Sequence, residues 1–113
     1  MKGGHKVFEY RGKVFNVVDG DTLDVDVDLG FKISTKQRIR LAHVDTPERS
    51  EQKYAEAKKL VEELTLNKSV FLRTSKPSKW GYYLAEVITE TGQDVAQVLI
   101  SQNLGQKYEG GKK

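Results

Sequence analysis

A mainly β domain with two helices is what this sequence predicts, on three observations. The front half is rich in β-branched and aromatic residues punctuated by Gly-containing turns. Residues 23–29 alternate Leu23, Val25, Val27 and Leu29 with Asp24, Asp26 and Asp28, the period-two pattern of a half-buried strand. One amphipathic segment, with Tyr54, Ala57, Leu60, Val61 and Leu64 at helical spacing, interrupts the β pattern before two further β-prone runs.

Each element can be justified in turn. Val7, Phe8, Tyr10, Val14, Phe15, Val17 and Val18 make the first β stretch, and the Gly of Arg11-Gly12 predicts a bulge or bend inside it. Asp19-Gly20 is a turn dipeptide leading into the aspartate-rich second strand, which Gly30 is expected to break. The third strand is expected over 37–44, where Ile39 and Leu41 alternate with Arg38 and Arg40. For the helix that follows, Ser50 is the expected N-cap, with Pro47 placed before the element where it costs nothing. Val70, Phe71 and Leu72, then residues 83–88, supply two more strands. Thr91-Gly92 is a turn, Asp94 with Gln97 resembles a capping box, and Val95, Val98 and Leu99 give a short closing helix that stops near 103–105. Three strands, a helix, two strands and a short C-terminal helix is the order of a five-stranded OB-fold Greek-key barrel, with a helix between strands 3 and 4.

Composition sets outer limits. At 113 residues the chain is expected to be one domain over 1–113, with loose Gly/Lys-rich ends at 1–5 and 109–113. It has no Cys, which excludes a disulfide scaffold, a cysteine zinc site and a thiol nucleophile. No apolar run is long enough to span a membrane, and the N-terminus lacks the apolar stretch of a secretory signal. A cytoplasmic, monomeric protein with no membrane partner is therefore expected. The net charge of +3 permits nucleic acid as a partner but does not argue for it.

Two acidic segments carry candidate chemistry. The run Asp24-Val25-Asp26-Val27-Asp28 resembles a calcium loop only superficially: Leu29 stands where the turn Gly belongs, and Thr35 stands where the closing Glu belongs. These aspartates are better read as the solvated face of a strand. Asp19-Gly20-Asp21-Thr22 and Asp45-Thr46-Pro47-Glu48 differ, because each places acids at a strand end beside a turn. Alone, the first reads as a hairpin turn and the second as a helix start with acids favoured by the helix dipole. Together, with Arg40 five positions before Asp45, they make a set suited to phosphodiester chemistry. Asp21, Asp45 and the Thr46 carbonyl could hold Ca²⁺, Arg40 could grip two phosphate oxygens with its planar fork, and Glu48 could take a proton from water.

Val17-Val18-Asp19-Gly20-Asp21-Thr22 and residues 38–48, Arg-Ile-Arg-Leu-Ala-His-Val-Asp-Thr-Pro-Glu, resemble the two signature segments of the staphylococcal nuclease family. The resemblance continues through Trp80-Gly81-Tyr82-Tyr83-Leu84-Ala85-Glu86-Val87 to Leu104-Gly105, so it covers about 6–108. It implies an OB-fold that cleaves DNA and RNA with calcium, leaving a 3′-phosphate. It also implies Asp21 and Asp45 as calcium carboxylates, Thr46 as a carbonyl ligand, Glu48 beside the attacking water and Arg40 as a phosphate-binding arginine, with Asp19 a nearby acid that is not itself a ligand. One departure bears on rate. The family pattern reads aromatic–Gly–Arg where this sequence has Trp80-Gly81-Tyr82, so Tyr82 occupies the place of a second catalytic arginine. A phenol donates a hydrogen bond but carries no positive charge. Arg73, Lys76, Lys79 and Arg49 are the neighbouring cations that could compensate. Compared with the family pattern, the sequence is expected to form a minimal version without the long C-terminal helix, and the 29–37 connection is expected to reshape the substrate rim.

Trp80, Tyr82 and Tyr108 are candidate stacking residues for bases, and Lys76 and Lys79 candidate phosphate contacts. Packing at the barrel rim is the competing reading for Trp80 and Tyr83, and His43 reads as a strand or rim residue. Two functions follow: a calcium-dependent nuclease acting on single-stranded or flexible DNA or RNA, or a non-catalytic module that binds nucleic acid or a protein partner.

Overall fold

The computed structural model describes residues 8–77 and 83–107, with the backbone alone at 75–77. Its elements run β1 (Phe8–Asp19), β2 (Thr22–Gly30), β3 (Ile33–Leu41), β4 (Val44–Asp45), α1 (Tyr54–Thr65), β5 (Ser69–Pro77), β6 (Tyr83–Thr89), α2 (Val95–Ser101) and β7 (Gln106–Lys107). Five strands close into a barrel in the order β1-β2-β3-β6-β5, and β4 pairs with β7 in a separate two-stranded sheet. Every barrel pairing is antiparallel except that of Ile39–Leu41 in β3 with Tyr83, Leu84 and Ala85 in β6. This is the OB-type Greek-key barrel that the element order predicts, with α1 between the third and fourth barrel strands.

Alternation fills the barrel. Val14, Leu23, Val25, Ile39, Leu41, Val70, Leu72 and Val87 point inward and are fully buried. Ala57 and Val61 of α1, and Val95, Ala96 and Leu99 of α2, join the same core. The exit of α1 is tied to β1 by backbone bonds from Val14 to Lys68 and from Asn67 to Val14. No helix among the described residues is long and apolar enough to cross a membrane.

Several local expectations need correction. The first strand bends at Phe15 and Val18, each an extra residue against β2, and not at Gly12, which sits in regular register with Val27 and Val70. Gly30, with φ 85°, is the last residue of β2, as expected. A tight turn at Phe31 and Lys32, both with positive φ (54° and 63°), leads from it directly into β3. The 29–37 connection is thus the end of a β-ribbon and not a loop. The strand expected over 37–44 stops at Leu41, and His43, with φ 72°, separates it from β4. Ser50 does not cap α1. Lys53 holds the N-cap position and makes no side-chain cap bond, while backbone bonds from Glu51 to Glu48 and from Tyr54 to Glu51 build the approach. Asp94 does cap α2, accepting from the Ala96 N–H at 3.0 Å.

Candidate active site

The site is assembled where three separate pieces of backbone meet. Gly20 and Asp21 form the two-residue turn between β1 and β2, and the Asp21 carbonyl accepts from the Leu41 N–H at 2.8 Å, fixing that turn to the end of β3. Gly20 sits in a close contact. A Cβ there would lie 3.0 Å from the Ala57 Cβ and 3.2 Å from Thr46, so any side chain would press α1 and the β4–α1 loop away from the turn. Gly105 does the same for β4: a Cβ would meet Val44 Cγ2 at 2.7 Å, where β7 pairs with β4.

Arg40 stands opposite Thr22 across the β2–β3 ladder and reaches all three pieces. Its Nη1 donates to the Leu41 carbonyl at 2.7 Å and the Val44 carbonyl at 3.1 Å. Its Nη2 lies 3.1 Å from Asp45 Oδ1 and 3.4 Å from Asp21 Oδ2. Asp21 also accepts from the Thr22 hydroxyl at 3.1 Å and from the Thr46 N–H at 3.3 Å. Asp21, Arg40, Asp45 and Thr46 are therefore in one place. The Asp45 side chain is 58% exposed while that of Asp21 is 14% exposed, so the cluster opens to solvent on the Asp45 side. There a recess of about 560 Å³ is lined by Asp45, Thr46, Glu48, Glu51 and Asn103, among others. Glu48 is exposed along this recess, its N–H donating to the Glu51 carboxylate at 3.2 Å.

The donor set suits a hard cation in part. Two carboxylates lie close enough for one guanidinium nitrogen to reach both, and the Thr46 backbone touches one of them. No group of three or more acidic, His or Cys side chains placed to hold a metal occurs among the described residues. An ion here would draw its remaining oxygens from carbonyls, water and substrate, which calcium accepts.

Asp19 is occupied elsewhere. The Tyr54 hydroxyl donates to Asp19 Oδ1 at 2.6 Å and lies 3.3 Å from the Val18 carbonyl. The bond to Asp19 holds the phenol above its usual pKa. Sequence periodicity places Tyr54 on the apolar face of α1 and gives no hint of this bond. The contact of the Glu48 N–H with the Glu51 carboxylate lies in the loop before α1, ahead of its Lys53 N-cap. Of the neighbouring cations, Arg73 pairs with Glu9 and Glu86 at 3.3 and 3.4 Å, and Arg49 lies 6.0 Å from the Tyr54 ring centroid. His43 is an exposed turn residue 3.3 Å from Glu86. Tyr82, Lys79, Trp80 and Tyr108, and the side chain of Lys76, lie outside the described residues.

Residues 38–113 match the family model described as staphylococcal nuclease homologue. The chain belongs to this family. Two curated relatives agree with the assignment. An "Uncharacterized endonuclease" of Escherichia coli O157:H7 is 26% identical over 101 residues, covering 89% of this chain and 63% of that protein. A "Micrococcal nuclease" of Shigella flexneri is 30% identical over 79 residues, covering 70% of this chain and 42% of the relative. The chain thus spans less than two thirds of the length of either. The family match begins at Arg38, on the strand that carries Arg40, and takes in the Asp45–Glu48 segment.

Proposed function

We propose that this chain is a calcium-dependent nuclease that hydrolyses phosphodiester bonds in single-stranded or flexible DNA or RNA, at a rate limited by Tyr82. The observation that carries the reading is the convergence of Asp21, Arg40 and Asp45 beside the recess that Glu48 lines. Asp21, Asp45 and the Thr46 carbonyl would hold the calcium ion. Bound there, the ion would supply positive charge to the phosphate oxygens. Arg40 presents a planar fork suited to two phosphate oxygens, and its Nη1 bonds to two carbonyls hold it in place whatever the aspartates bind. Glu48 accepts a proton from the water whose oxygen attacks phosphorus. The bond from phosphorus to the 5′-oxygen breaks on the opposite side, and that oxygen takes a proton from solvent, leaving a 3′-phosphate and a 5′-hydroxyl. Tyr82 can offer the leaving side one neutral hydrogen bond in place of a charged one.

The test is the initial rate of cleavage of a single-stranded oligonucleotide at alkaline pH, with and without calcium, for wild type and Glu48→Gln. Calcium-dependent cleavage by wild type, reduced about 10²–10⁴-fold in Glu48→Gln, is expected. A wild type no faster than the variant overturns the reading. Salt-sensitive oligonucleotide binding without turnover would then favour a non-catalytic binding module, the reading that Tyr82 supports.

A further inference from the structure

The first turn of α1 lies against the turn that carries Asp21. Tyr54 and Ala57, three positions apart and so on one helix face, make the contact. Ala57 packs beside Gly20, where a Cβ would lie 3.0 Å from the Ala57 Cβ. Tyr54, half-buried, aims its hydroxyl at the two residues before that glycine. Asp19 Oδ1 accepts from it at 2.6 Å, the length of a bond to an ionised carboxylate. The Val18 carbonyl is also in reach at 3.3 Å. Val18 is the extra residue of the second β1 bulge, and bulges re-aim the side chains beside them. Arg49 lies 6.0 Å from the Tyr54 ring centroid, so the same ring also borders the loop that carries Glu48.

Asp19 is close enough to Asp21 for its direction to matter. Two trans peptide steps separate their Cα atoms, which therefore lie within about 7.6 Å of each other. Turned toward Asp21, the Asp19 carboxylate would add a third acid to the cluster of Asp21, Arg40 and Asp45. Among the described residues no group of three acidic, His or Cys side chains is placed to hold a metal. The number of acids decides what the cluster can do. A calcium ion with Asp21, Asp45 and Arg40 keeps one positive charge, which a phosphodiester can use. A third carboxylate would cancel that charge, hold the ion more tightly and take a coordination position from phosphate or water.

We infer that Tyr54 is a positioning residue: its hydroxyl holds Asp19 out of the proposed cation site, which therefore presents two carboxylates and not three. The inference rests on the cation site of the proposed function, and it adds a residue of α1 that sets the charge of that site.

The experiment is a calorimetric calcium titration, without nucleic acid, of wild type, Tyr54→Phe, Asp19→Asn and the double variant. Both exchanges nearly preserve side-chain volume, and thermal melts without calcium verify that all four proteins are folded. Tyr54→Phe should bind calcium about tenfold more tightly than wild type, because Asp19 is released to the ion. Asp19→Asn should bind within about twofold of wild type, and the double variant should lose the gain. A hydroxyl that merely braced the turn would give weaker calcium binding in Tyr54→Phe and no reversal by Asp19→Asn. Either of those results, or equal affinity in wild type and Tyr54→Phe, overturns the inference while leaving the nuclease reading intact. Loss of calcium binding in Asp19→Asn alone also overturns it, since Asp19 would then already be a ligand. Calcium binding by Tyr54→Phe and not by wild type supports the inference. Binding by neither protein overturns the inference together with the calcium site.

Discussion

Arg38 and Arg40 stand two positions apart on one face of one strand, yet they use aspartate differently. Arg38 grips both oxygens of Asp24, its cross-strand neighbour, at 2.8 and 3.2 Å, and Asn16 donates to the same carboxylate at 3.0 Å. All three residues belong to adjacent strands of one sheet, and among the described residues one guanidinium faces one carboxylate. Arg40 instead draws Asp21 from a turn and Asp45 from a separate small sheet, and one nitrogen serves both carboxylates at 3.4 and 3.1 Å. Among the described residues, two carboxylates meet one guanidinium there, at the mouth of an open recess. A pair built inside a ladder satisfies itself. A cluster gathered from several elements retains a surplus of acceptors, and such a surplus is what a cation and a phosphate can use.

The largest effect that could break this contrast is on catalysis. Arg40→Ala should lower kcat/KM on single-stranded DNA by about 10²–10⁵, and Arg38→Ala by less than about tenfold. Melting temperatures measured on the same preparations separate chemistry from folding, since Arg40 also ties down the Leu41 and Val44 carbonyls. Equal losses would mean that the two arginines play the same part. Tyr82→Arg sharpens the contrast from the other side, by restoring a charged donor opposite Arg40's share of the work. It should raise the rate at least about tenfold, and a fall would show that the phenol acts in its own right.

How much of this could be read in the sequence follows the same division. Period-two alternation fixed the insides of β2 and β3, because facing the core is decided one residue at a time. The closing elements were harder. Two-residue strands such as β4 and β7 exist only because their partners meet in space, and no local pattern marks Val44 pairing with Lys107. Asp21, Arg40, Asp45 and Thr46 were legible as a set because they sit at strand ends within two short segments. Tyr54 was not, since an apolar helix position and a hydroxyl aimed at Asp19 look identical in a hydrophobicity pattern. The aspartates of β2 were read as solvated. Asp24 is in fact mostly covered by Arg38 and Asn16, and one oxygen of Asp26 is buried without a hydrogen-bond partner. Cross-strand partners, which register decides, account for that difference.

Close approach is the next lever. The Arg40 cluster depends on the β1–β2 turn lying against α1 and Thr46, whereas the Arg38 pair needs only the ladder. Gly20→Ala pushes a methyl to 3.0 Å from the Ala57 Cβ. It should destabilise the protein by about 1–3 kcal/mol in urea unfolding and lower cleavage further by displacing Asp21. Tyr54→Phe acts on the same junction more gently. Loss of the hydroxyl bonds to Asp19 and Val18 should cost about 1 kcal/mol at neutral pH. Because the folded-state phenol pKa is raised, wild type carries this advantage below the unfolded value of about 10 and loses it as pH climbs through the folded value. Thermal melts of both proteins from pH 7 to 11 should therefore converge at the alkaline end.

The smallest effect tests the closed pair itself. Asp24→Asn should cost about 0.5–1 kcal/mol at neutral pH, as expected for a well-oriented ion pair near the surface. The Arg38 hydrogen bond holds the Asp24 carboxyl below the usual carboxylate range, and the Asn16 bond acts in the same direction against a partial burial penalty. A folded pKa lower than the unfolded one stabilises the ionised form, so wild type holds its full advantage above the unfolded value of about 3.9. As pH falls through the lower folded value, the carboxyl protonates in both states and the advantage disappears. Melting temperatures of wild type and Asp24→Asn should thus differ at pH 6 and come together toward pH 2. A gap that persists in acid would mean that Asp24 contributes through shape and neutral hydrogen bonding. In that case matched charge would not be what distinguishes the Arg38 pair from the Arg40 cluster.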